Sequence, residues 1–436
     1  MSKQVNKRKR IKGKRLPAKP LRPLLESILV FWRGKLRTKY GLTVDREALR
    51  GVKPPFIVVF NHVGDDDQFV AGTALHPVMP NYMMSNWAEH SFPLAPLSKV
   101  AGAIHKIRFV PDVRAVMAAK RVLKERGGVV GVAPAASYSI DGTPSYFDYG
   151  IAKFCKMFKV PVFALRMDGL YFFHNRFSGR QLCRLHGAVT RVFDGPELKD
   201  MATEEVYKRL YEACDFNDFQ YQRRVMAPVI AKDDNLAEGM EYVAYRCLRC
   251  GAEFQTEGKG NVLTCSACGN ALRVNRYYFF EPHSSPCAWV EELNQWTQFQ
   301  RQLVAEEIEK EDFHISCDCA LYRFTEGKKY GVTRYGRGRL RLDASGFTYT
   351  GTDKDAGVTY HHPLADTYYV GNDTRVYLSV DTPKRSYQYR LDNMKMGAKY
   401  LLALTALREK YHPYFPDEAE WRRGLVTNTE FTIHNS

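Results

Sequence analysis

The chain has 436 residues, more than one compact unit ordinarily holds, and its 45% hydrophobic content is enough for real cores. A formal charge of +16 suits an anionic partner, and ten cysteines in a chain this long argue against a disulfide scaffold. No apolar run reaches the roughly 18–20 residues of a spanning helix, which excludes an integral membrane protein of that type.

Residues 1–22 hold ten Lys or Arg and no acid, so 1–23 reads as a basic disordered tail. Leu24, Leu25, Ile28, Leu29 and Trp32 then share one face of a short helix. A basic arm beside such a helix fits an anchor on an anionic membrane surface. Nucleic acid would attract the same arm, so charge alone does not choose between them. Arg33-Gly34-Lys35 is no small-residue cleavage site, and the chain is expected to be cytoplasmic and peripherally membrane-associated.

Between residues 50 and 225, strand and helix signals alternate. Strands are expected at 56–60, 129–133 and 161–165, and helices at 68–75, 113–126, 149–158 and 203–224. That alternation predicts an α/β unit with a mostly parallel sheet over 24–225. Residues 240–280 read as a small Cys-rich module, followed by a linking helix within 281–312. Short alternating runs over 313–415, closed by a helix at 394–410, predict an antiparallel β module. By analogy of architecture alone it is pleckstrin-homology-like. Residues 416–436 form a tail.

The Cys-rich module carries the firmest local signal. Cys247, Cys250, Cys265 and Cys268 form two Cys-x2-Cys pairs separated by 14 residues, each followed by Gly. Four thiolates at that spacing predict a closed, structural Zn²⁺ site, a zinc ribbon. His283, Cys287, His314, Cys317 and Cys319 are too irregularly spaced to predict a second one.

After the strand 56–60 comes Asn61-His62-Val63-Gly64-Asp65-Asp66-Asp67. A His just past a strand end, with a carboxylate five positions on, can form a base and its orienting partner. Among 12 histidines such a spacing also arises by chance. Asp65 and Asp66 could equally be loop carboxylates or part of a cation site.

Together with three blocks downstream, in their order along the chain, this segment resembles the glycerolipid acyltransferase family. The matching blocks are Asn61-His62 with Asp67, then 102–108 ending in Arg108. After them come 134–142 (Pro134, Ser137, Tyr138, Ser139, Asp141, Gly142) and Val160-Pro161. The resemblance covers residues 40–200. It implies acyl transfer from a thioester, acyl-CoA or acyl carrier protein, to a lipid hydroxyl such as that of a lysophospholipid, with no catalytic cofactor. It further implies His62 as general base, Asp67 as its partner, and Arg108 with Lys106, Ser137, Tyr138 and Ser139 around the acceptor. Arg108 could alternatively be a plain ion-pair partner.

Four positions depart from the family pattern. Ala135, Ala136 and Tyr138 stand where it has Glu, Gly and Arg, and Gly64 where it has Ser. The catalytic pair is kept while the acceptor site is rebuilt, so an acceptor other than lysophosphatidate is expected. The rival reading is a non-catalytic zinc-ribbon protein, binding nucleic acid or lipid, with a degenerate enzyme domain.

Overall fold

The computed structural model describes residues 20–64, 66–91, 94–135, 137–324, 331–373, 375–382, 385–425 and 430–436. Most of the basic tail therefore lies outside the described residues, as do Asp65 and Ala136.

The first unit is built on seven strands: β1 Thr43–Asp45, β2 Phe56–Phe60, β3 Asn81–Ser85, β4 Ile104–Lys106, β5 Val129–Val132, β6 Val162–Asp168 and β7 His186–Phe193. Their order is β1-β7-β6-β2-β5-β3-β4, and only the β6–β7 pairing is antiparallel. Central β2 is buried along its whole length, which is why it reads as a continuous apolar run rather than an alternating one. Phe56, Val58 and Phe60 enter one core, while Ile57 and Val59 enter the other on the opposite face.

Eight helices flank or extend this sheet: α1 Arg22–Tyr40, α2 Asp67–Leu75, α3 Leu94–Val100, α4 Val113–Lys120, α5 Gly150–Phe158, α6 Leu170–Phe173, α7 Thr203–Cys214 and α8 Asp218–Val225. α1 runs well beyond the expected stretch, from a Pro in its first turn to Gly41, whose φ of 56° ends it. Its expected apolar face is half-buried: Leu24 stays exposed, whereas Leu25, Ile28 and Leu29 line a cavity and the Trp32 ring stacks on Phe69 of α2 at 4.6 Å. Leu29 also fills the space beside Gly72, where an added Cβ would lie 2.8 Å from its methyl carbon.

Two expected helices are interrupted. The segment 113–126 is α-helical only to Lys120 and continues as one π-helical stretch, Arg121–Glu125. The segment 203–224 breaks after Cys214, because the Asn217 side chain accepts from the Phe219 and Gln220 N–H groups and caps a second helix.

The second unit is a four-stranded antiparallel ribbon in the order β11-β10-β9-β8, with β8 Thr256–Lys259, β9 Val262–Cys265, β10 Ala271–Val274 and β11 Phe280–Pro282. β12 Ala288–Trp289 follows and leads into α9 Leu293–Glu307, entered through a reciprocal Glu292–Gln295 capping box.

The third unit is a seven-stranded antiparallel sheet: β13 Ile315–Phe324, β14 Val332–Asp343, β15 Gly346–Asp353, β16 Ala356–Pro363, β17 Gly371–Asp373, β18 Tyr377–Asp381 and β19 Ser386–Leu391. Its order is β16-β15-β14-β13-β19-β18-β17, so first and last strands pair at the centre. Helix α10 Met396–Tyr411 closes it. The described tail adds α11 Glu418–Arg423 and β20 His434–Asn435, which pairs back onto β12. One apolar cluster runs from Val58 and Leu165 through Leu263 and Trp296 to Tyr349 and Leu404, so the three units share a core.

Candidate functional site

The end of β2 and the start of α2 bring His62 and Asp67 together. His62 Nδ1 lies 2.8 Å from Asp67 Oδ2, and the same oxygen accepts the Val63 and Gly64 N–H groups at 2.5 and 3.1 Å. Asp67 is buried, while the His62 side chain keeps 22% exposure. Nδ1 is thereby engaged, leaving Nε2 as the nitrogen able to exchange a proton.

Asn61 works in the scaffold. Its amide donates to the Met167 carbonyl at 2.7 Å and accepts the Met167 N–H at 2.8 Å, tying β2 to β6. Gly64 is also set by packing, since a Cβ there would meet the His174 carbonyl oxygen at 2.5 Å.

Asp66 forms a second, separate constellation. It receives Arg180 through two hydrogen bonds of 2.6 and 2.8 Å, and His174 Nδ1 at 2.8 Å. Burial pushes its carboxyl up, but His174 and Arg180 together outweigh burial and bring it down to about 2. Asp66 is thus a paired structural carboxylate rather than a loose loop acid.

His62 lines a mostly apolar cavity of about 1440 Å³, above the roughly 300–1,000 Å³ of ordinary small-molecule sites. α1 supplies one wall through Leu25, Ile28 and Leu29, and the third unit supplies another through Tyr368, Tyr377 and Arg408. Tyr138 lines it beside His62, the two ring centroids 4.7 Å apart.

Lys106 and Arg108 also line the cavity. Lys106 faces Asp148 at 3.6 Å. Arg108 lies past the end of β4 and reaches into the third unit, Nε to Asp381 Oδ2 at 3.1 Å and Nη2 to Ser379 Oγ at 2.7 Å. Ser137 and Ser139 are buried and are not among the lining residues. The Ser139 hydroxyl donates to the Thr143 carbonyl at 2.6 Å and accepts the Gly142 N–H at 3.0 Å, shaping its own loop. Asp141 accepts Thr143 through N–H and hydroxyl and also Thr297 of α9, so that block is anchored to the linking helix.

Sequence reasoning passed over Arg176. Its guanidinium lies over the Tyr138 ring at 4.6 Å, it lines the cavity, and it pairs with Asp373 of the third unit. The one local signal was the basic run His174, Arg176, Arg180 and Arg184 after α6.

In the ribbon, Cys247, Cys250, Cys265 and Cys268 place their four sulfurs within 4.8 Å of one another. Cys247 and Cys268 approach to 3.7 Å, and Cys250 and Cys265 to 3.9 Å. Tetrahedral zinc with Zn–S of about 2.3 Å requires S···S separations of about 3.8 Å, so the cluster fits that ion. Gly251 and Gly269 take φ of 71° and 73°, and their N–H groups donate to Cys247 O and Cys265 O in matching knuckles. Among the described residues, His283, Cys287, His314, Cys317 and Cys319 do not gather into a second set.

No family model matches the chain, and no curated protein matches it. Among solved structures it is similar to the 1-acyl-sn-glycerophosphate (LPA) acyltransferase PlsC from Thermotoga maritima. The TM-score is 0.37 at 17% identity, over 44% of this chain and 78% of that one. A likeness of that size bears on neither activity nor substrate.

Proposed function

We propose that the chain is an acyltransferase that moves a fatty acyl group from a thioester, acyl-CoA or acyl carrier protein, to a hydroxyl of a lysophospholipid or related glycerolipid. The observation that carries this reading is the His62–Asp67 pair, 2.8 Å apart at the wall of a large apolar cavity. His62 Nε2 removes the proton of the acceptor hydroxyl while its oxygen attacks the thioester carbonyl. Asp67 fixes the tautomer and stabilises the imidazolium. Collapse of the tetrahedral species breaks the C–S bond, and the departing thiolate takes the proton from His62. No acyl-enzyme is needed, and the apolar walls suit acyl chains.

In this reading, Cys247, Cys250, Cys265 and Cys268 hold one Zn²⁺ that stabilises the ribbon. With four thiolates no position is open for substrate, so no step of the transfer passes through it. The antiparallel sheet, with its first and last strands paired and one closing helix, supports a pleckstrin-homology-like module.

No helix among the described residues is long and apolar enough to cross a membrane. Exposed Leu24, Phe31, Val113, Met117 and Met157 support peripheral association with a lipid surface. The decisive assay is acceptor-dependent thiol release from palmitoyl-CoA and from palmitoyl-acyl carrier protein by wild type and His62→Ala. Release with either donor in wild type alone supports the proposal. Equal rates in both proteins, or no acceptor-dependent release in wild type, refute it.

A further inference from the structure

Two arginines of the first unit reach the cavity, and each meets a carboxylate of the third. Arg108 pairs with Asp381, whose side chain is fully buried and also lies 3.4 Å from Trp87 Nε1. Arg176 pairs with Asp373, and here both side chains keep partial exposure, 18% and 14%. Between the pairs stands Tyr377, a cavity-lining residue. Burial raises its phenol; Asp373 and Asp381 push the same way, and Arg108 and Arg176 oppose them. The two arginines thus carry these ion pairs to the seam of two units and themselves line the space that holds His62.

The two pairs differ in exchangeability. In the Arg108–Asp381 pair the guanidinium keeps 16% exposure but the carboxylate keeps none, and separating them would strand a buried carboxylate, which is expensive. Asp373 is nearer solvent and can be rehydrated when its partner turns away. Arg176 is also the cation stacked on Tyr138, the position that departs from the family's Arg. Its guanidinium carbon lies 4.6 Å from the centre of that ring.

Building on the acyl-transfer reading above, we infer that Arg176 determines acceptor specificity. It binds the phosphate of an anionic lysophospholipid across the Tyr138 ring and exchanges Asp373 for it. One exchangeable guanidinium matches the single charge of a phosphodiester better than the near-double charge of a phosphate monoester. The third unit then supplies the resident counter-ion, and its removal should help an anionic acceptor.

The test uses the full chain with palmitoyl-CoA and two acceptors, lysophosphatidylglycerol and neutral monoacylglycerol. Arg176→Gln should lower the ratio of kcat/KM for the anionic over the neutral acceptor by roughly 10–100-fold, mainly through KM. Arg176→Lys should restore much of that ratio, and Asp373→Asn should raise it. Equal losses toward both acceptors, a changed donor KM in place of the acceptor KM, or parallel losses in Arg176→Gln and Asp373→Asn would overturn the inference. Equilibrium binding of the two lipids without donor reads Arg176 apart from catalysis. Equal lysophosphatidylglycerol binding by wild type and Arg176→Gln refutes the acceptor site. Selective, Arg176-dependent binding without thiol release supports the site and removes the acyl-transfer reading alone.

Discussion

A single oxygen of Asp67 holds both His62 and the backbone that carries it. Oδ2 receives His62 Nδ1 at 2.8 Å together with the Val63 and Gly64 N–H groups. Orientation of the imidazole and conformation of its loop are thus one constraint. Asp67→Asn should lower acyl transfer by about 10²–10⁴-fold, as should His62→Ala. Rates from thiol release, with circular dichroism as the folding control, check this. Wild-type turnover in Asp67→Asn would remove the pair from the mechanism.

Asp66 should behave differently from its neighbour. Its folded carboxyl sits near 2 against an ordinary 3.8, so its contribution is present above pH 3.8 and is lost as pH falls toward 2. The expected size is roughly 2 kcal/mol. Urea melts of wild type and Asp66→Asn should differ at neutral pH and converge in acid. A difference that persists at low pH would contradict the linkage.

Gly64 offers a test of packing against resemblance. Gly64→Ser introduces the residue usual in the glycerolipid acyltransferases that the segment resembles, yet its Cβ would press on the His174 carbonyl. Strain of that kind typically costs about 1–3 kcal/mol. Thermal denaturation should show a lower Tm and the assay a lower rate; an unchanged Tm would mean that the loop yields freely.

The ribbon should bind about one zinc ion per chain by elemental analysis. Cys265→Ser combined with Cys268→Ser should remove the ion and lower the melting temperature. Zinc-free wild type with unaltered melting would refute the site.

Membrane docking can be tested without dismantling the cavity. Removing residues 1–19 leaves α1 in place, whereas cutting to residue 32 would take Leu25, Ile28 and Leu29 from the cavity wall. The 1–19 deletion and Phe31→Asp should each weaken sedimentation with anionic vesicles. Salt should weaken the wild type, since screening acts over about 8 Å at physiological ionic strength. Salt-insensitive binding would assign the arm no electrostatic part.

The alternation of strand and helix signals before residue 225 was readable because buried strands such as Phe56–Phe60 are short continuous apolar runs, while helices between them such as Gly150–Phe158 are longer and amphipathic. Two Cys-x2-Cys pairs were readable because metal geometry imposes fixed local spacing, and His62 and Asp67 because only four residues separate them. Arg176 was not, since its meaning depends on Tyr138 and on Asp373, 197 residues away, and no local pattern encodes that meeting. The packing of Leu29 and Trp32 against α2 was not readable for a related reason. Amphipathicity shows that a helix has an apolar side, but whether lipid or protein covers it depends on tertiary packing, here on Phe69 and Gly72. The expected 203–224 helix failed on a local competitor, the Asn217 cap.

The apolar cluster joining Val58 to Trp296 and Leu404 makes this chain a poor candidate for modular exchange. A fragment stopping at residue 225 would strip Tyr278 from Tyr171, Phe172 and Phe219, and would lose the wall containing Tyr377. The ribbon cannot be lifted out as an independent bead, because Leu263 and Phe280 are buried in that same cluster. Damage at the cysteines should therefore spread to the cleft that holds His62, with one melting transition governing all three units.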